Sequence, residues 1–427
     1  MAETKPISPF TKGINNVSPL RSKHFQPSEG GAFLRDAVNV DIDSTGVVTR
    51  RSGYTKIVEA PACHSGFAFG DFMYLVSNGS LFSYDPVTGN MLNLCMGVGA
   101  NPVSFADVGD AVYWMNDLKS GVIRNGVNYT WGIPSAIPPI LDPDAGTLRA
   151  GRYLVGVTYT KNGVESGCVG VSTITLLEPS GISITPEFIP PDIDRINVYC
   201  SDCNGADAYF IYDCEASEPV FVHEVETSAS ILDSVGLYPP PMGHLIFHYR
   251  GYLFVCTQDG FYWSQPLDYH RFYLSTDFQM TSAKPVMAIA LETGFYLALA
   301  DGQTLWISGD SPDEWQPTVV DTARVIDSQA LLIPARVFPS LQLPMSAKVG
   351  VWVSTEGVVI GTPTGSIIHP SRDVLSIDQF ERASLAYMEG EGSRKVLMSL
   401  RNKLKENEFG IGDRVTASVI KAGGTPD

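Results

Sequence analysis

The sequence is poor in basic residues and in cysteine, and it has no long hydrophobic run. Its 427 residues carry 29 Lys and Arg against 46 Asp and Glu, a net charge of −17. Because nucleic acid phosphates are anionic, this imbalance argues against a groove that grips DNA or RNA. No stretch approaches the ~18 apolar residues of a membrane span. The first dozen residues lack the apolar run of a signal peptide. We therefore expect neither a membrane span nor export.

The chain has seven cysteines, an odd number that cannot all pair within one chain. In a large chain without an export signal this predicts reduced thiols and folding in a cytoplasm. Cys200, Cys203 and Cys214 begin with the Cys-x-x-Cys spacing of zinc sites. However, "INVYC" and "AYFIYDC" predict two paired strands joined by "SDCNGAD". Cys203 would then lie at the tip and Cys214 at the far end, roughly 20 Å apart. We expect no metal site, no disulfide and no cofactor.

Recognisable catalytic motifs are absent from the sequence. It has no phosphate-binding loop, no His-Glu-x-x-His and no Gly-x-Ser-x-Gly. His244 and His248 have the spacing of metal ligands on a helix, but their segment predicts a strand, on which they lie about 13 Å apart. "SPDEW" (311–315) lacks the Gly and Thr of a sialidase turn, so we interpret Trp315 as a packing residue. We predict no catalytic residues and no enzyme. A propeller glycosidase, which needs paired carboxylates, stays an alternative.

A β-hairpin recurs along the chain. Each copy has Gly, an apolar strand, a polar turn and a second apolar strand, the pattern of a hairpin with an Asn-Gly, Asp-Gly or similar turn. The copies begin at Gly70, Gly109, Gly251, Gly294 and Gly350, with a looser copy from Ala383. Spacings of 39, 43 and 56 residues are typical of propeller blades, whose sheets bury one another around a ring. The alternative is a set of hairpins in a sandwich or barrel.

One gap of 142 residues, from Gly109 to Gly251, breaks this period. Proline clusters at 133–143 and 238–243 bracket the excess, and such clusters mark linkers. About 95 residues of short strands lie between them, the size of an immunoglobulin-like sandwich. The predicted fold is all-β, a divergent β-propeller-like body with an inserted immunoglobulin/fibronectin-III-like β-sandwich. The predicted domains are an arm (1–33), a first propeller part (34–139), the sandwich (140–238), a second propeller part (239–402) and a tail (403–427).

Four segments carry a resemblance to a known family. "LRDAVNVDIDSTGVVTRRSGY" (34–54) is similar to the N-terminal signature of tailed-phage virion proteins. "FYWSQPLDYHRF" (261–272) resembles an aromatic segment of the same group, and "LWISGDSPDEW" (305–315) partly repeats it. "YLVGVTYTKNGVESG" (153–167) looks like their fibronectin-like module. The resemblance spans about residues 30–320, and its motifs are mostly structural. The nearest family is the tail hub or nozzle, also called packaged-DNA stabilisation protein, of short-tailed bacteriophages.

The resemblance implies a structural virion protein that forms part of the DNA conduit and helps retain packaged DNA until ejection. Its implied partners are further copies in a homo-oligomeric ring, expected as a hexamer, the portal and adaptor proteins above, and tail fibres or spikes. Double-stranded DNA would pass transiently without tight binding. The implied location is the virion tail, after assembly in the host cytoplasm. The alternative function is a tail-tip propeller that binds or hydrolyses host surface glycans, and a cellular propeller scaffold is disfavoured by the N-terminal signature.

The early hairpin also supplies the only predicted contact residues, Arg50, Arg51 and Tyr54. In a propeller an early strand can complete the last blade, and the two arginines could then pair with carboxylates of a neighbouring blade or subunit. The alternative is that they are solvated charges which discourage edge pairing.

Charge is unevenly distributed along the chain. Residues 140–235 hold fifteen Asp and Glu against four Lys and Arg, net −11. Residues 1–58 have a net charge of +3, and residues 391–427 of +2. One interpretation is that the acidic surface keeps the protein soluble. The other is a division of labour, in which basic ends dock on acidic partners and acidic surfaces let DNA slide without sticking.

Overall fold

This computed structural model describes residues 10–19, 21–26, 31–42, 47–51, 53, 56–326, 330–377, 380–390, 393–402 and 416–421. Their regular structure consists of strands and four short 3-10 helices, Lys23–Phe25, Pro312–Glu314, Ala335–Val337 and Pro339–Leu341. Within these ranges no helix has the length and apolar character needed to cross a membrane. The chain divides into two compact units, residues 1–60 with 281–427, and residues 61–280.

The first strands belong to the unit that combines both chain ends. Strands β1 (Val40–Ile42) and β2 (Val48–Arg50) form a two-stranded antiparallel sheet in which Val40 is opposite Arg50. The predicted hairpin is therefore present, although its turn at 43–46 lies outside the described residues.

The unit of residues 61–280 begins with two four-stranded antiparallel sheets in simple up-and-down order. Blade 1 consists of β3 (His64–Phe69), β4 (Phe72–Ser77), β5 (Ser80–Tyr84) and β6 (Met91–Cys95). Blade 2 consists of β7 (Ser104–Val108), β8 (Ala111–Met115), β9 (Ser120–Arg124) and β10 (Val127–Tyr129). The hairpins predicted from Gly70 and Gly109 form the two central strands of these blades. Asn78 and Gly79 both have positive φ, 47° and 70°, the left-handed geometry of the tight turn that this dipeptide predicts.

The inserted module follows as two packed sheets. Its strands are β11 (Ile140–Leu148), β12 (Gly151–Lys161), β13 (Val164–Glu165), β14 (Ser172–Leu176), β15 (Ser180–Thr185), β16 (Arg195–Ser201), β17 (Ala208–Glu215) and β18 (Val220–Val222). One sheet has the order β11-β15-β18; the other has β13-β12-β16-β17, with β14 also paired to β12. Alternate residues of both sheets, among them Val155, Val157, Ile182 and Val198, form a common core. This is a β-sandwich.

The same unit ends with blade 3, which consists of β19 (Leu245–Tyr249), β20 (Tyr252–Cys256), β21 (Gly260–Trp263) and β22 (Phe278–Met280). Blades 1, 2 and 3 stack through the two faces of β8, in which every residue is buried. Val112 and Trp114 pack with blade 1, and Ala111, Tyr113 and Met115 pack with blade 3. A single strand thus buries both of its faces, which is why "AVYWM" is apolar throughout.

The remaining blades belong to the other unit. Blade 4 consists of β23 (Pro285–Ala290), β24 (Gly294–Leu299), β25 (Thr304–Ser308) and β26 (Gln316–Asp321). Blade 5 consists of β27 (Leu331–Pro334), β28 (Lys348–Ser354), β29 (Gly357–Gly361) and β30 (Ile367–Ile368). The last sheet, blade 6, has three strands among the described residues, β31 (Phe380–Gly390), β32 (Ser393–Asn402) and β33 (Thr416–Lys421). Blade 5 packs with blade 4 around Tyr296 and Trp352, and with blade 6 around Val351 and Met398.

The chain is therefore all-β, with a β-propeller-like body of repeated up-and-down blades and an inserted immunoglobulin/fibronectin-III-like sandwich. All five hairpins predicted from glycine spacing form the central strands of a blade. The domain boundaries stay a prediction. The two compact units divide the chain after residues 60 and 280, whereas the strands of the sandwich occupy residues 140–222.

Candidate functional site

The inserted module presents an acidic surface. Of the fifteen Asp and Glu in residues 140–235, all but Glu165 are exposed. Two of the four cations are already paired within the module, Lys161 with Asp192 and Arg195 with Asp213. Exposed ion pairs contribute little to stability. The surplus of exposed carboxylates gives the module a strong negative field.

The exceptional carboxylate, Glu165, lies in a polar network on β13. It accepts hydrogen bonds from the hydroxyls of Tyr199, at 2.7 Å, and Thr158. Asn197 Nδ2 donates to Thr158 Oγ1 at 3.2 Å. Burial, and then the neighbouring carboxylate, raise the pKa of Tyr199, which keeps its hydroxyl protonated as a donor. This network is satisfied by the module's own side chains and joins β12, β13 and β16.

Two connecting segments, residues 131–139 and 237–243, form the stalk of the module. They are joined to each other by the hydroxyl of Ser135, which donates to the carbonyl of Leu237 at 2.7 Å. Ala136 exchanges backbone hydrogen bonds with residues 167 and 169 of the module, at 3.0 and 2.7 Å. Glycine is required at Gly167, since a Cβ there would overlap the carbonyl oxygen of Leu237. The stalk is thus a paired structure and not two separate linkers.

Blade 3 holds this stalk through the long loop between β21 and β22, residues 264–277. The indole of Trp131 donates to the carbonyl of Tyr269 at 2.7 Å. Tyr238 and Phe272 exchange two backbone hydrogen bonds, at 2.9 and 2.8 Å. Trp131 and Phe272 are buried, 3% and 0% exposed, and their rings make an edge contact. The segment "FYWSQPLDYHRF" therefore has a structural task, because it fixes the module to the blades.

We refer to these contacts between the stalk and the 264–277 loop as the mount of the module. A cluster of aromatic and basic side chains packs against the mount. Arg124, at the end of β9, has Nη2 3.3 Å from His270 Nε2 and 3.4 Å from the hydroxyl of Tyr113. The Tyr113 ring contacts the rings of Trp131, Tyr269 and His270. Burial, and then the charge of Arg124, lower the pKa of His270 to about 4. Burial also lowers the pKa of His248, in β19. The imidazole of His270 is therefore neutral at pH 7.

The predicted contact residues lie in or just after β2. Arg50 ends β2 and is exposed, and Arg51 is partly buried, with its backbone N–H donating to Asn39 at 3.1 Å. Tyr54 lies outside the described residues. The hairpin does meet the last blade, through an ion pair at 3.2 Å between Asp41 of β1 and Lys395 of β32. Among the described residues, neither β1 nor β2 pairs through backbone hydrogen bonds with a strand of blade 6. The blade-closing role of the arginines stays a prediction.

A second contact of the N-terminal segment was missed by sequence reasoning. The amide of Asn16 accepts from the N–H of Ser376 at 2.9 Å and donates to its carbonyl at 3.1 Å. The N–H of Asn16 donates to Val374 at 2.9 Å. Asn15, 1% exposed, caps the turn beside it through the N–H groups of Val17 and Ser18. The Asn-Asn pair could have indicated a turn, but its partner is 360 residues away and leaves no local signal.

We predict that Asn16→Ala loosens the N-terminal segment. The change removes two side-chain hydrogen bonds, which contribute about 0.5 kcal/mol each in this exposed position, or about 1 kcal/mol together. Limited trypsin digestion should therefore cleave at Arg21, Lys23 and Arg35 roughly five times faster, since 1 kcal/mol changes a local equilibrium by about this factor. Val17→Ala, which truncates a half-exposed neighbour, is the matched control. Equal cleavage rates in the two variants would show that the Asn16 side chain does not hold the N-terminal segment in place.

Among the described residues, the cysteine thiols and histidine rings do not gather into a site that could hold a metal ion. Strands β16 and β17 pair as the sequence predicts, with Cys200 opposite Tyr209 and Cys214 opposite Ile196. No group of three His, Cys, Asp or Glu among the described residues could hold a metal ion. Burial raises the pKa of Cys200 to about 12 and raises that of Cys256 further. These two thiols are thus poor nucleophiles and behave as core residues.

We predict that folding needs neither a metal nor a disulfide. A chelator or a reductant should leave the melting temperature unchanged within error. A thiol reagent should modify the exposed Cys63 in the native protein, and Cys200 and Cys256 only after unfolding. A drop of several degrees with chelator would instead restore Cys200 and Cys203 as ligands, because structural zinc contributes directly to folding.

Comparison with known proteins yields structural neighbours alone. No known family model matches the chain, and no curated protein matches it. The N-terminal domain of BBS1, in complex with ARL6, aligns over 80% of this chain and 89% of its own at 10% identity, with a TM-score of 0.30. The Pan2 WD40 domain of Neurospora crassa aligns over 77% and 82% at 8% identity, TM-score 0.30. Apo AztD of Citrobacter koseri aligns over 72% and 71% at 10% identity, TM-score 0.28. At these scores the likeness carries nothing about function, and the propeller-like character is defined by the strand order of the blades.

Proposed function

We propose that the chain is a structural protein of a phage tail, a hub or nozzle component that forms part of the DNA conduit and helps retain packaged DNA. The observation that carries this proposal is an exposed acidic surface on a module that is held firmly in place. A carboxylate surface of this density repels duplex DNA and excludes tight binding. A firm mount sets that surface in one position, as a channel wall requires and a flexible appendage does not.

The segments that resemble phage tail proteins support the same proposal. Residues 261–272 supply most of the loop that holds the stalk, and residues 153–167 form most of β12, all of β13 and the contact with Ala136. Residues 34–54 include β1 and β2. Three of the four resembling segments thus lie in parts that position the module or in the N-terminal hairpin, and the fourth, residues 305–315, lies in blade 4.

In this proposal the acidic wall acts by repulsion. Each Lys or Arg that touches a phosphate adds a salt-dependent attraction and would slow DNA during ejection. Carboxylates instead leave a hydrated gap around the duplex, so retention depends on a physical gate and not on affinity. The basic ends of the chain, net +3 and +2, would serve attachment to acidic surfaces of neighbouring copies, adaptor or portal.

Removal of the chain from the phage that encodes it tests the proposal. Particles without it should package DNA but lose it, or fail to complete their tails, measured as loss of nuclease-protected DNA. The purified chain added back should restore protection. If particles without it keep their DNA and lose only attachment to host cells, the protein is a tail-tip component that recognises host glycans.

A further inference from the structure

We propose that the mount of the inserted module is an acid-operated latch: when the ring of His270 takes up a second proton, it separates from Arg124 and releases the stalk from the 264–277 loop. The inference concerns the fold of residues 61–280 and holds whatever the biological role of the module.

The geometry fixes the protonation state of the closed latch. A guanidinium can only donate hydrogen bonds, so the Nε2 atom of His270, 3.3 Å from Arg124 Nη2, must accept. The ring proton then lies on Nδ1, and the imidazole is neutral. A second proton would turn Nε2 into a donor that faces another donor, and it would place two cations in direct contact in a partly buried site. The closed contact is therefore incompatible with the charged ring.

Burial opposes protonation of His270 most strongly, and two of the three charged groups around the ring act in the same direction. Arg124 and Arg271 both oppose protonation. Asp268 favours it, but its carboxylate is paired with Arg271 and also accepts from the backbone N–H of His270 at 3.4 Å. From blade 2, Tyr113 contributes a neutral hydroxyl. From blade 3, His248 faces Tyr269, and Asp107 of β7 acts on His248. The result is a pKa for His270 of about 4 in the closed state.

The position of His270 connects this contact to the stalk. Tyr269, the residue before it, accepts the indole hydrogen bond of Trp131. Phe272, two residues after it, forms the backbone pair with Tyr238. Because the residues on both sides of His270 are fixed by these bonds, the proposed latch transmits a displacement of His270 away from Arg124 to the backbone of this short segment. Both attachments of the stalk to blade 3 would then be strained together.

The direction of the pH effect follows from linkage. An exposed imidazole has a pKa near 6.5, and the closed state lowers that of His270 to about 4. The open state therefore binds protons more tightly, and opening is favoured as pH falls below about 6.5. The opening equilibrium should rise roughly tenfold per pH unit until pH approaches about 4, a total of roughly 300-fold. Above pH 7 the latch should be insensitive to pH.

Hydrogen exchange of the intact protein tests the latch at the backbone N–H groups of Tyr238 and Phe272. After correction for the intrinsic rate, their protection should fall roughly 100-fold between pH 7.5 and 4.5, two units below the ordinary imidazole pKa. The N–H of Val255, in the core of blade 3, should not change. His270→Gln, whose amide oxygen can accept from Arg124 without titrating, should make the stalk protection independent of pH. His248→Gln should keep the wild-type dependence.

Three results would overturn the inference. The first is equal protection of Tyr238 and Phe272 at both pH values in the wild-type protein. The second is an equal loss at Val255, which would indicate general acid unfolding. The third is a steep pH dependence that survives in His270→Gln. The wild-type comparison decides the matter alone if that variant does not fold.

Discussion

Trp131→Ala should destabilise the unit of residues 61–280 by about 3–5 kcal/mol, the range for truncation of a large buried aromatic side chain. The indole is 3% exposed, packs on Tyr113 and Phe272, and donates to Tyr269. Its loss leaves a cavity at the point where blade 2, the loop and the stalk meet. In urea denaturation, the first transition should occur at a lower urea concentration. Hydrogen exchange should show the largest loss of protection at Tyr238 and Phe272.

Two control variants should have smaller effects on stability. Trp131→Phe keeps most of the ring and removes the N–H donor, so it should cost about 0.5–1.5 kcal/mol. Leu177→Ala truncates a side chain that is 93% exposed on the same module and should cost less than about 0.5 kcal/mol. If Trp131→Ala behaves like Leu177→Ala, the indole does not hold the stalk.

Charge reversal of the module should create DNA binding where the wild-type protein has none. The strand register places six exposed carboxylates at the end of the sandwich away from the stalk, one within β11 and five in the segments that follow β14, β16 and β18 or precede β17. They are Asp144, Glu178, Asp202, Asp207, Glu224 and Glu226. With lysine at all six positions, and with Arg149 and Arg152 nearby, this end would carry eight cations. Affinity for duplex DNA should then fall by about 10³–10⁵ between 50 and 200 mM salt, as for six to ten phosphate contacts.

The matched control carries Asn or Gln at the same six positions. It removes the repulsion without adding cations, and it should not bind DNA. The wild-type chain should show negligible binding even at low salt, where weak electrostatic attraction is strongest. In particles, the lysine variant should slow DNA release if this end of the module faces the channel. Tight binding of duplex DNA by the wild-type chain would remove the conduit proposal.

The blades were predictable because their signals are local. An apolar strand with period 2, a turn such as Asn78-Gly79 and a second apolar strand all lie within about fifteen residues. Five such hairpins recur along the chain, at spacings of 39, 43 and 56 residues apart from the one gap of 142. The outer strands gave no such signal. β6, β10, β22 and β26 are edge strands in which no residue is fully buried, so burial does not impose a hydrophobic pattern on them.

The mount of the module was not predictable, because its contacts join distant residues. Trp131 and Tyr269 are 138 residues apart, and Arg124 and His270 are 146 apart. In the sequence Trp131 resembles any core aromatic residue, and the aromatic residues of 261–272 do not indicate what they contact. The proline clusters did indicate the two connecting segments. That these segments pair with each other and with one blade follows from hydrogen bonds that no spacing encodes.

The alternative function, recognition or hydrolysis of host glycans at a tail tip, differs from the conduit in where the chain lies. A hydrolase would also need two carboxyl groups about 5–10 Å apart facing a sugar site. A purified nozzle component should assemble into rings or bind portal and adaptor proteins, whereas a lectin or hydrolase should act on glycan as a small species.

Electron cryo-microscopy of the assembled phage particle tests the central claim most directly. In the proposed conduit, copies of this chain form a ring below the portal and adaptor, with the end of the inserted module that carries the six carboxylates toward the axis and no continuous density from its side chains to the DNA. A chain found only at the distal tip of the tail, on a fibre or outside the particle would contradict the conduit proposal.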